Sequence, residues 1–459
     1  LNNNINKAKY TEVCKTIFLW LKICFMNKMF IPLALCVLFT FSCKKDNVPV
    51  QEQEEQVISE DPATFQNVGS VDLGGEASAE ISAYDPKSKR LFVVNNESAS
   101  KVEVLDMSKF PVVTKLQSVD FSASSGGANS VAVHDGKLAV ALEAVNKQEN
   151  GHIAILDCET LQQLKLVEVG ALPDMVTFSP DGNFILSANE GEPSADYMND
   201  PKGSVSIIEI SKNYAVTTLD FTAFEGQKAE LMSKGFRVFG KNASLAQDIE
   251  PEYVYVSADS KKAWVTSQEN NGMAEVDLTT KAISKIIPLG SKDISLAEYA
   301  MDLSDKDDQT LLQNWPVKAF FLPDAISGFV YQNENYLVLA NEGDTREYEG
   351  YAEEERVKKL TLDPVKFPNA SELQKDEQLG RLVTSLANGD TDKDGDYDEI
   401  YTLGGRSVSI RKADGTLVAE IGKDMEQRVI DLGKYDDGRS DNKGIEVEGV
   451  TVSAMGDRT

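Results

Sequence analysis

Apolar and polar residues alternate in short runs separated by polar turns along most of the chain, the period-two pattern of strands with a buried face. The unit is clearest between Leu172 and Glu190, where Met175-Val176-Thr177-Phe178 and Phe184-Ile185-Leu186 flank the turn Ser179-Pro180-Asp181-Gly182. Asp174 opens the first run and Glu190 closes the second. Facing positions of an antiparallel pair share one midpoint. For Asp174 and Glu190 it is residue 182, inside the turn, so the two acids are predicted neighbours at the open end of a hairpin.

The same hairpin recurs from Glu80 to Glu97, Asn129 to Glu143, Glu252 to Glu269 and Asp324 to Glu342, each time centred on a polar turn. Alternating third runs follow, such as Lys101–Asp106, His152–Asp157, Ser204–Glu209 and Ala274–Leu278, and then a fourth, such as Leu164–Val169. Four antiparallel strands per repeat of roughly 45 to 80 residues predict an all-β fold, a β-propeller of four-stranded blades. A β-sandwich would not explain repetition at this length. A sixth unit is expected from Arg381–Leu386 and Ile400–Leu403 with Ser407–Ile410 as its third strand, placing Arg381 and Arg406 where other units carry acids. A seventh begins at Glu448-Gly449-Val450 and turns at 454–457. The expectation is therefore a seven-bladed ring whose last blade is truncated in this chain, with Ser70–Leu73 closing it.

The N-terminal residues fall outside the pattern. Phe30 to Ser42 is an apolar run after Lys28, too short to span a bilayer and suited to a signal-peptide core. Phe39-Thr40-Phe41-Ser42-Cys43 resembles a bacterial lipoprotein box, with Cys43 as the lipidated residue. The expected organisation is a misread upstream segment plus lipoprotein signal peptide at 1–43, a disordered tether at 44–65, and a propeller domain at 66–459, C-terminally incomplete. Cys43-Lys44-Lys45-Asp46 adds an expectation of a lipid-anchored protein of the bacterial outer membrane, exposed at the surface. Cys14, Cys24 and Cys36 fall in the leader, which leaves no disulfide framework.

Lys and Arg number 46 against 74 Asp and Glu, a net charge of -28. That excludes a basic nucleic-acid footprint and suits a surface that attracts cations.

Gly126-Gly127-Ala128-Asn129-Ser130, Gly170-Ala171-Leu172-Pro173-Asp174-Met175, Ala188-Asn189-Glu190-Gly191-Glu192-Pro193, Asn314-Trp315-Pro316-Val317-Lys318 and Ala340-Asn341-Glu342-Gly343-Asp344 resemble the choice-of-anchor I family. That family includes relatives of mesenchyme-specific cell surface glycoproteins linked to biomineralisation, and some bacterial members are labelled alkaline phosphatase. The resemblance implies a propeller held outside the cell by an anchor, here lipid, and carries no agreed catalytic set.

First strands begin and second strands end at the same end of each hairpin, so the acids should ring one mouth of the propeller. They are Glu80, Glu97, Glu143, Asp174, Glu190, Glu252, Glu269, Asp324, Glu342 and Glu448, with Asn129 at the equivalent place. Like charges this close need an offset. Either a hard cation such as Ca2+ or Mg2+ supplies it, or basic residues do: Arg346, Arg381, Arg406, Lys443, Lys318 and Arg439. Capping of backbone N–H groups at each blade end is an equally good account of the same acids. Separately, Asp390, Asp392, Asp394, Asp396 and Asp398 surround Gly395 in the spacing of a Ca2+ loop. On the hairpin midpoint this loop would cap the face opposite the mouth in a structural role. Asp302-Leu303-Ser304-Asp305-Lys306-Asp307-Asp308 is a weaker cation candidate, and Trp264 and Trp315 read as core.

With His134 and His152 as the only histidines, a Ser-His-Asp triad or a His-rich zinc site is not indicated. Two functions remain. One is a surface-anchored calcium-binding propeller that acts as an extracellular binding module for a partner, a glycan or mineral ions. The other is a calcium-dependent phosphoesterase, a metal-dependent phosphoric ester hydrolase, favoured by Arg381 and Arg406 facing an acidic ring.

Overall fold

The structure is a computed structural model that describes residue 64, residues 66–75 and residues 78–453. The segment 1–43 with Cys43, nearly all of the tether 44–65 and the turn at 454–457 lie outside the described residues. Among those described, no helix is long and apolar enough to cross a membrane.

Five repeats fold as four-stranded antiparallel meanders. The first sheet runs Ser82–Asp85, Arg90–Asn95, Lys101–Lys109 and Val112–Asp120. The second runs Gly127–His134, Lys137–Glu143, Asn150–Asp157 and Gln163–Ala171. The third takes Pro173–Phe178, Phe184–Asn189, Ser204–Glu209 and Ala215–Asp220, and the fourth Val254–Val256, Lys262–Ser267, Gly272–Asp277 and Ala282–Pro288. The fifth is built from Pro323–Tyr331, Glu334–Asn341, Ser407–Lys412 and Leu417–Ile421.

The alternation of side chains explains how these sheets assemble, because successive residues of a strand face opposite sides. Leu138, Val140 and Leu142 pack with Phe92, Val94 and Val102 of the first sheet. Between them, Ala139 and Ala141 pack the other way, against Val176, Phe178 and Ile185 of the third. Leu186, Ala188 and Ile207 meet Val254, Ala263 and Val265 of the fourth, and Trp264 and Met273 meet Ile326, Leu337 and Leu339 of the fifth. Each inner sheet is thus sandwiched between two neighbours, and first strands of successive sheets lie side by side. That is the packing of propeller blades.

Two expectations about the C-terminal units change. Ser407–Lys412 is the third strand of the fifth sheet, paired antiparallel from Tyr336↔Lys412 to Asn341↔Ser407. Val383–Ser385 pairs with Glu354–Arg356, and Tyr401–Thr402 runs parallel to Lys318–Phe320. Arg381–Leu386 and Ile400–Leu403 therefore form no hairpin of a sixth blade. They belong to a long insertion between the second and third strands of the fifth. Together with residues from Ile294 to Ala319, the insertion has a core of its own, with Trp315, Leu360, Phe367, Leu379 and Leu382 buried in it. Residues 448–453 carry no strand, although the Val452 N–H donates to Ser327 Oγ (3.2 Å) beside the fifth sheet. Ser70–Leu73 likewise carries no strand. The described residues hold five four-stranded sheets of the seven expected.

Leu339 is fully buried between the fourth and fifth sheets, so Leu339→Ala is expected to cost about 2–5 kcal/mol in urea unfolding. Val145→Ala, at a side chain that is 79% exposed, should stay within about 0.5 kcal/mol. Equal effects would contradict the inter-sheet packing.

Candidate functional site

The acids of the third, fourth and fifth sheets do gather at one end, through a different local geometry from a simple hairpin pairing. Asn189 pairs with Pro173 and Ala188 with Met175, so Asp174 is the extra residue of a β-bulge. Asn129 is skipped in the same way between Ala128 and Ser130, and the register shifts between Pro323 and Ile326, around Asp324. A bulge bends the strand and re-aims the unpaired side chain. Leu172 and Leu322, each preceding Pro-Asp, adopt left-handed backbone at φ +49° and +48°. The repeated Leu-Pro-Asp thus encodes the bend that turns the acid toward the mouth. The second strands end just as repetitively. Asn189 Nδ2 donates to Ser204 Oγ (3.2 Å) and Ser206 Oγ (3.1 Å), and Asn341 Nδ2 to Ser407 Oγ (3.0 Å) and Ser409 Oγ (3.1 Å). Each clamp fixes the residue before a mouth acid, Glu190 or Glu342.

Carboxylate oxygens of Asp174, Glu190 and Glu252 come within 4.8 Å of one another. Burial pushes the Asp174 carboxyl up to about 6, a hydrogen bond with Glu190 pulls it down, and the charges of Glu192, Glu80 and Glu143 add to the rise. Burial, followed by the surrounding carboxylates, holds Glu190 and Glu252 well above the usual carboxylate range. Glu269 is raised to about 7 by burial, against the pull of Arg346. Asp324 is raised to about 8 by burial and by Glu342, Asp174 and Glu448. Burial also raises Glu342, whose Oε2 accepts from Gln268 Nε2 (2.9 Å). Glu80, Glu143 and Glu448 thus stand close enough to act on the cluster. Glu97 turns elsewhere and accepts the Gly75 N–H (2.8 Å).

The basic residues act on this cluster only at a distance, Arg346 on Glu269 and Lys443 on Glu342, and give their hydrogen bonds to other partners. Arg346 is buried and gives Nη1 to Asp248 Oδ1 (2.7 Å), Nη2 to the Asp248 carbonyl (2.6 Å) and Nε to Glu250 Oε2 (3.1 Å). Lys443 reaches the mouth rim, on the Gly343 carbonyl (2.8 Å) and Asp344 Oδ1 (3.0 Å). Arg381 pairs with Asp305 and Asp441. Arg406 is 1% exposed and donates to the carbonyls of Asp302, Ser440 and Asn442. Neither arginine takes an acid's place in a ring, because the unit that would have put them there does not exist. Lys318 pairs with Glu399 and Arg439 with Glu446.

The loop around Gly395 has the turns of a cation loop. The Gly395 N–H donates to Asp390 Oδ2 (3.1 Å), with Gly395 at φ +100°. Asp390, Asp392 and Asp398 form one set of oxygens within 4.8 Å, and Asp363, Asp396 and Asp398 another. Asp390 Oδ1 is buried without a hydrogen-bond partner. The loop is not on the far face. Arg237 Nη1 donates to the Glu269 carbonyl (2.7 Å) and Arg237 Nε to Asn388 Oδ1 (3.1 Å), tying the start of the loop to the mouth. Of the weaker candidate, Asp305 is spent on Arg381 and Lys306, and burial raises Asp302 to about 7.

Sequence reading missed Asp248, Glu250, Arg237 and Asp363. Asp248-Ile249-Glu250-Pro251-Glu252 was a visible signal, three acids on alternate positions leading into a first strand. Arg237 and Asp363 offer none, since their partners Glu353 and Asp398 are far away in sequence.

The choice-of-anchor I domain profile matches residues 80–459. No curated protein matches the chain. Among solved structures, the Kuenenia stuttgartiensis hydrazine synthase is 15% identical with a TM-score of 0.34, over 57% of this chain and 80% of that one. The dihydro-heme d1 dehydrogenase NirN is 10% identical at TM-score 0.37, over 74% of this chain and 46% of that one. A chain of the nidogen–laminin complex is 9% identical at TM-score 0.33, over 57% and 71%.

A carboxyl raised above its unfolded value stabilises the fold at acid pH and loses that contribution as pH rises through its folded pKa. Asp324 is raised to about 8, so in a chelating buffer the protein should lose stability between about pH 4 and pH 8. Asp324→Asn should flatten that slope and stabilise at pH 8. Thermal melts across this range check it, and identical slopes for both proteins would contradict it.

Proposed function

Because the chain belongs to the choice-of-anchor I family, we propose that it is a cell-surface binding module that takes its ligand at the acidic mouth, with calcium ordering the loop that leaves from that mouth. The observation that carries the reading is the convergence of Asp174, Glu190 and Glu252 with carboxylates from a third sheet, while the nearby cations are committed elsewhere. A site of this kind, on rigid strands under long loops, is where a propeller binds. Attachment to the bacterial outer membrane through a lipid on Cys43 belongs to the same proposal and rests on the sequence alone.

Calcium at residues 390–398 is supported by the donor set and by the unpartnered, buried Asp390 Oδ1. The two sets share Asp398, and Asp363 arrives from a segment held to the loop by the bridge Leu362↔Tyr397. A cation there would staple two parts of the insertion.

The phosphoesterase alternative loses the observation that favoured it. A phosphate would need cationic side chains facing the mouth, and Arg381 and Arg406 are held by other partners.

Calcium at a hundred times its dissociation constant should stabilise the protein by about 2.7 kcal/mol. Asp390→Asn with Asp398→Asn should remove most of that gain in calorimetry. Calcium-loaded protein is expected to leave phosphomonoesters intact. Turnover abolished by Glu190→Gln would reverse the choice between the two functions.

A further inference from the structure

We propose that Arg411 anchors a buried anion site between the fourth and fifth sheets, separate from the acidic mouth and from the 390–398 loop. The ligand it fits is one small monovalent anion, a carboxylate or a halide, held by the guanidinium edge that carries Nε and Nη2.

The geometry of the side chain carries it. Arg411 lies in the third strand of the fifth sheet opposite Leu337, and like Leu337 it faces the fourth sheet. It is 3% exposed there. Two contacts fix the guanidinium: Nη1 donates to the Gly415 carbonyl (3.0 Å), and Cζ lies 4.3 Å from the centre of the Phe321 ring. The turn that presents this carbonyl is closed against the fourth sheet, where a Cβ on Gly415 would come within 2.3 Å of Ile287 Cγ2. Nε and Nη2 are left over. Both are buried, and neither has a hydrogen-bond partner among the described residues. Buried donors in a native fold have partners. These two share one edge of the planar group and point the same way, the fork that grips two oxygens of one carboxylate. A halide sits between the same two N–H groups.

The nearest acid does not neutralise this charge. Glu420 pairs with Ser409, two residues from Arg411, so it faces the same side of the sheet. Its carboxylate is spent on buried Lys292, whose Nζ donates to Glu420 Oε1 (2.7 Å) and to the Gly405 carbonyl (2.5 Å). Two buried cations thus share one carboxylate, which leaves an excess of one positive charge. A buried carboxyl escapes such an excess by taking up a proton, and an arginine has no comparable escape. Burial lowers Arg411 to about 10, which leaves it charged at neutral pH. A water molecule would satisfy the N–H groups and leave the charge unpaired, a costly state in the interior. One monovalent anion satisfies both. The layer is also close to solvent: Lys292 Nζ lies 5.8 Å from the ring of Tyr299, which is part-exposed and follows the exposed residues 295–298.

The test begins with the unaltered whole chain. Crystals grown in sodium bromide, with anomalous scattering recorded at the bromine edge, should show a peak in reach of both Nε and Nη2 of Arg411. In solution, at constant ionic strength, the melting temperature should rise and saturate as chloride, bromide or formate replaces a bulky sulfonate. Saturation at lower formate than chloride concentration assigns the site to a carboxylate, and the reverse order to a halide. Arg411→Met removes the charge and should abolish the response. Arg411→Lys keeps the charge without the fork and should weaken the anion about tenfold, the worth of one charge-assisted hydrogen bond. If Arg411→Met does not fold, the lysine variant and the bromide crystals decide. Only water at the fork in those crystals, or a carboxylate of the protein turned onto it, would overturn the proposal. So would a bromide peak with no response in the melts (an adventitious ion only), or a response that Arg411→Lys leaves unchanged.

Discussion

Mutual repulsion among carboxylates held out of water is the constraint from which the mouth follows. Asp174, Glu190, Glu252, Glu269, Asp324 and Glu342 are brought together by three sheets and shifted toward protonation by burial first and by one another second. A chain free to relax would spread them into solvent. Here they are mounted on strands whose other residues are locked between sheets, so the carboxyls stay together and hold their protons to higher pH. Negative charge develops there only as the protons leave, between low-dielectric walls where it acts strongly on whatever binds.

Holding such a cluster requires the surrounding charge to be finished, and it is. Arg237 and Arg346 both lie over the ring of Phe239, with their guanidinium carbons 4.2 Å and 4.6 Å from its centroid. Arg237 then closes on Glu353, and Arg346 on Asp248 and Glu250. Removing one partner of such a buried pair strands the other charge, which makes these contacts hard to lose. Arg237 reaches the mouth through the Glu269 carbonyl (2.7 Å). Arg406 plays a comparable part for the insertion, joining Asp302 to the segment Ser440–Asn442. The basic residues in this face thus build the scaffold and act on the mouth acids only at a distance, Arg346 on Glu269 and Lys443 on Glu342.

Much of this was legible in the residues. The repeated hairpin and the alternating apolar faces identified five blades correctly, within an expectation of seven, and the acids at their open ends. The midpoint rule placed facing pairs within one or two residues; it could not foresee bulges, because a bulge at Asp174 or Asn129 adds a residue to one strand without changing the alternation. It failed outright after Glu342. Between the second and third strands of the fifth sheet the chain leaves for more than sixty residues, from Asn341 to Ser407, and local patterns there resemble another hairpin. Pairing such as Glu354–Arg356 with Val383–Ser385 is nonlocal and leaves no periodic trace. With the insertion misread, Arg381 and Arg406 were assigned to a ring they do not join.

The most direct test of the central claim is a crystal structure grown with Mn2+, with anomalous scattering recorded at the manganese edge. The account predicts an anomalous peak within the loop 390–398, in reach of Asp390, Asp392 and Asp398 and of the unpartnered Asp390 Oδ1. An ordered loop at 390–398 with no anomalous peak in it would contradict it.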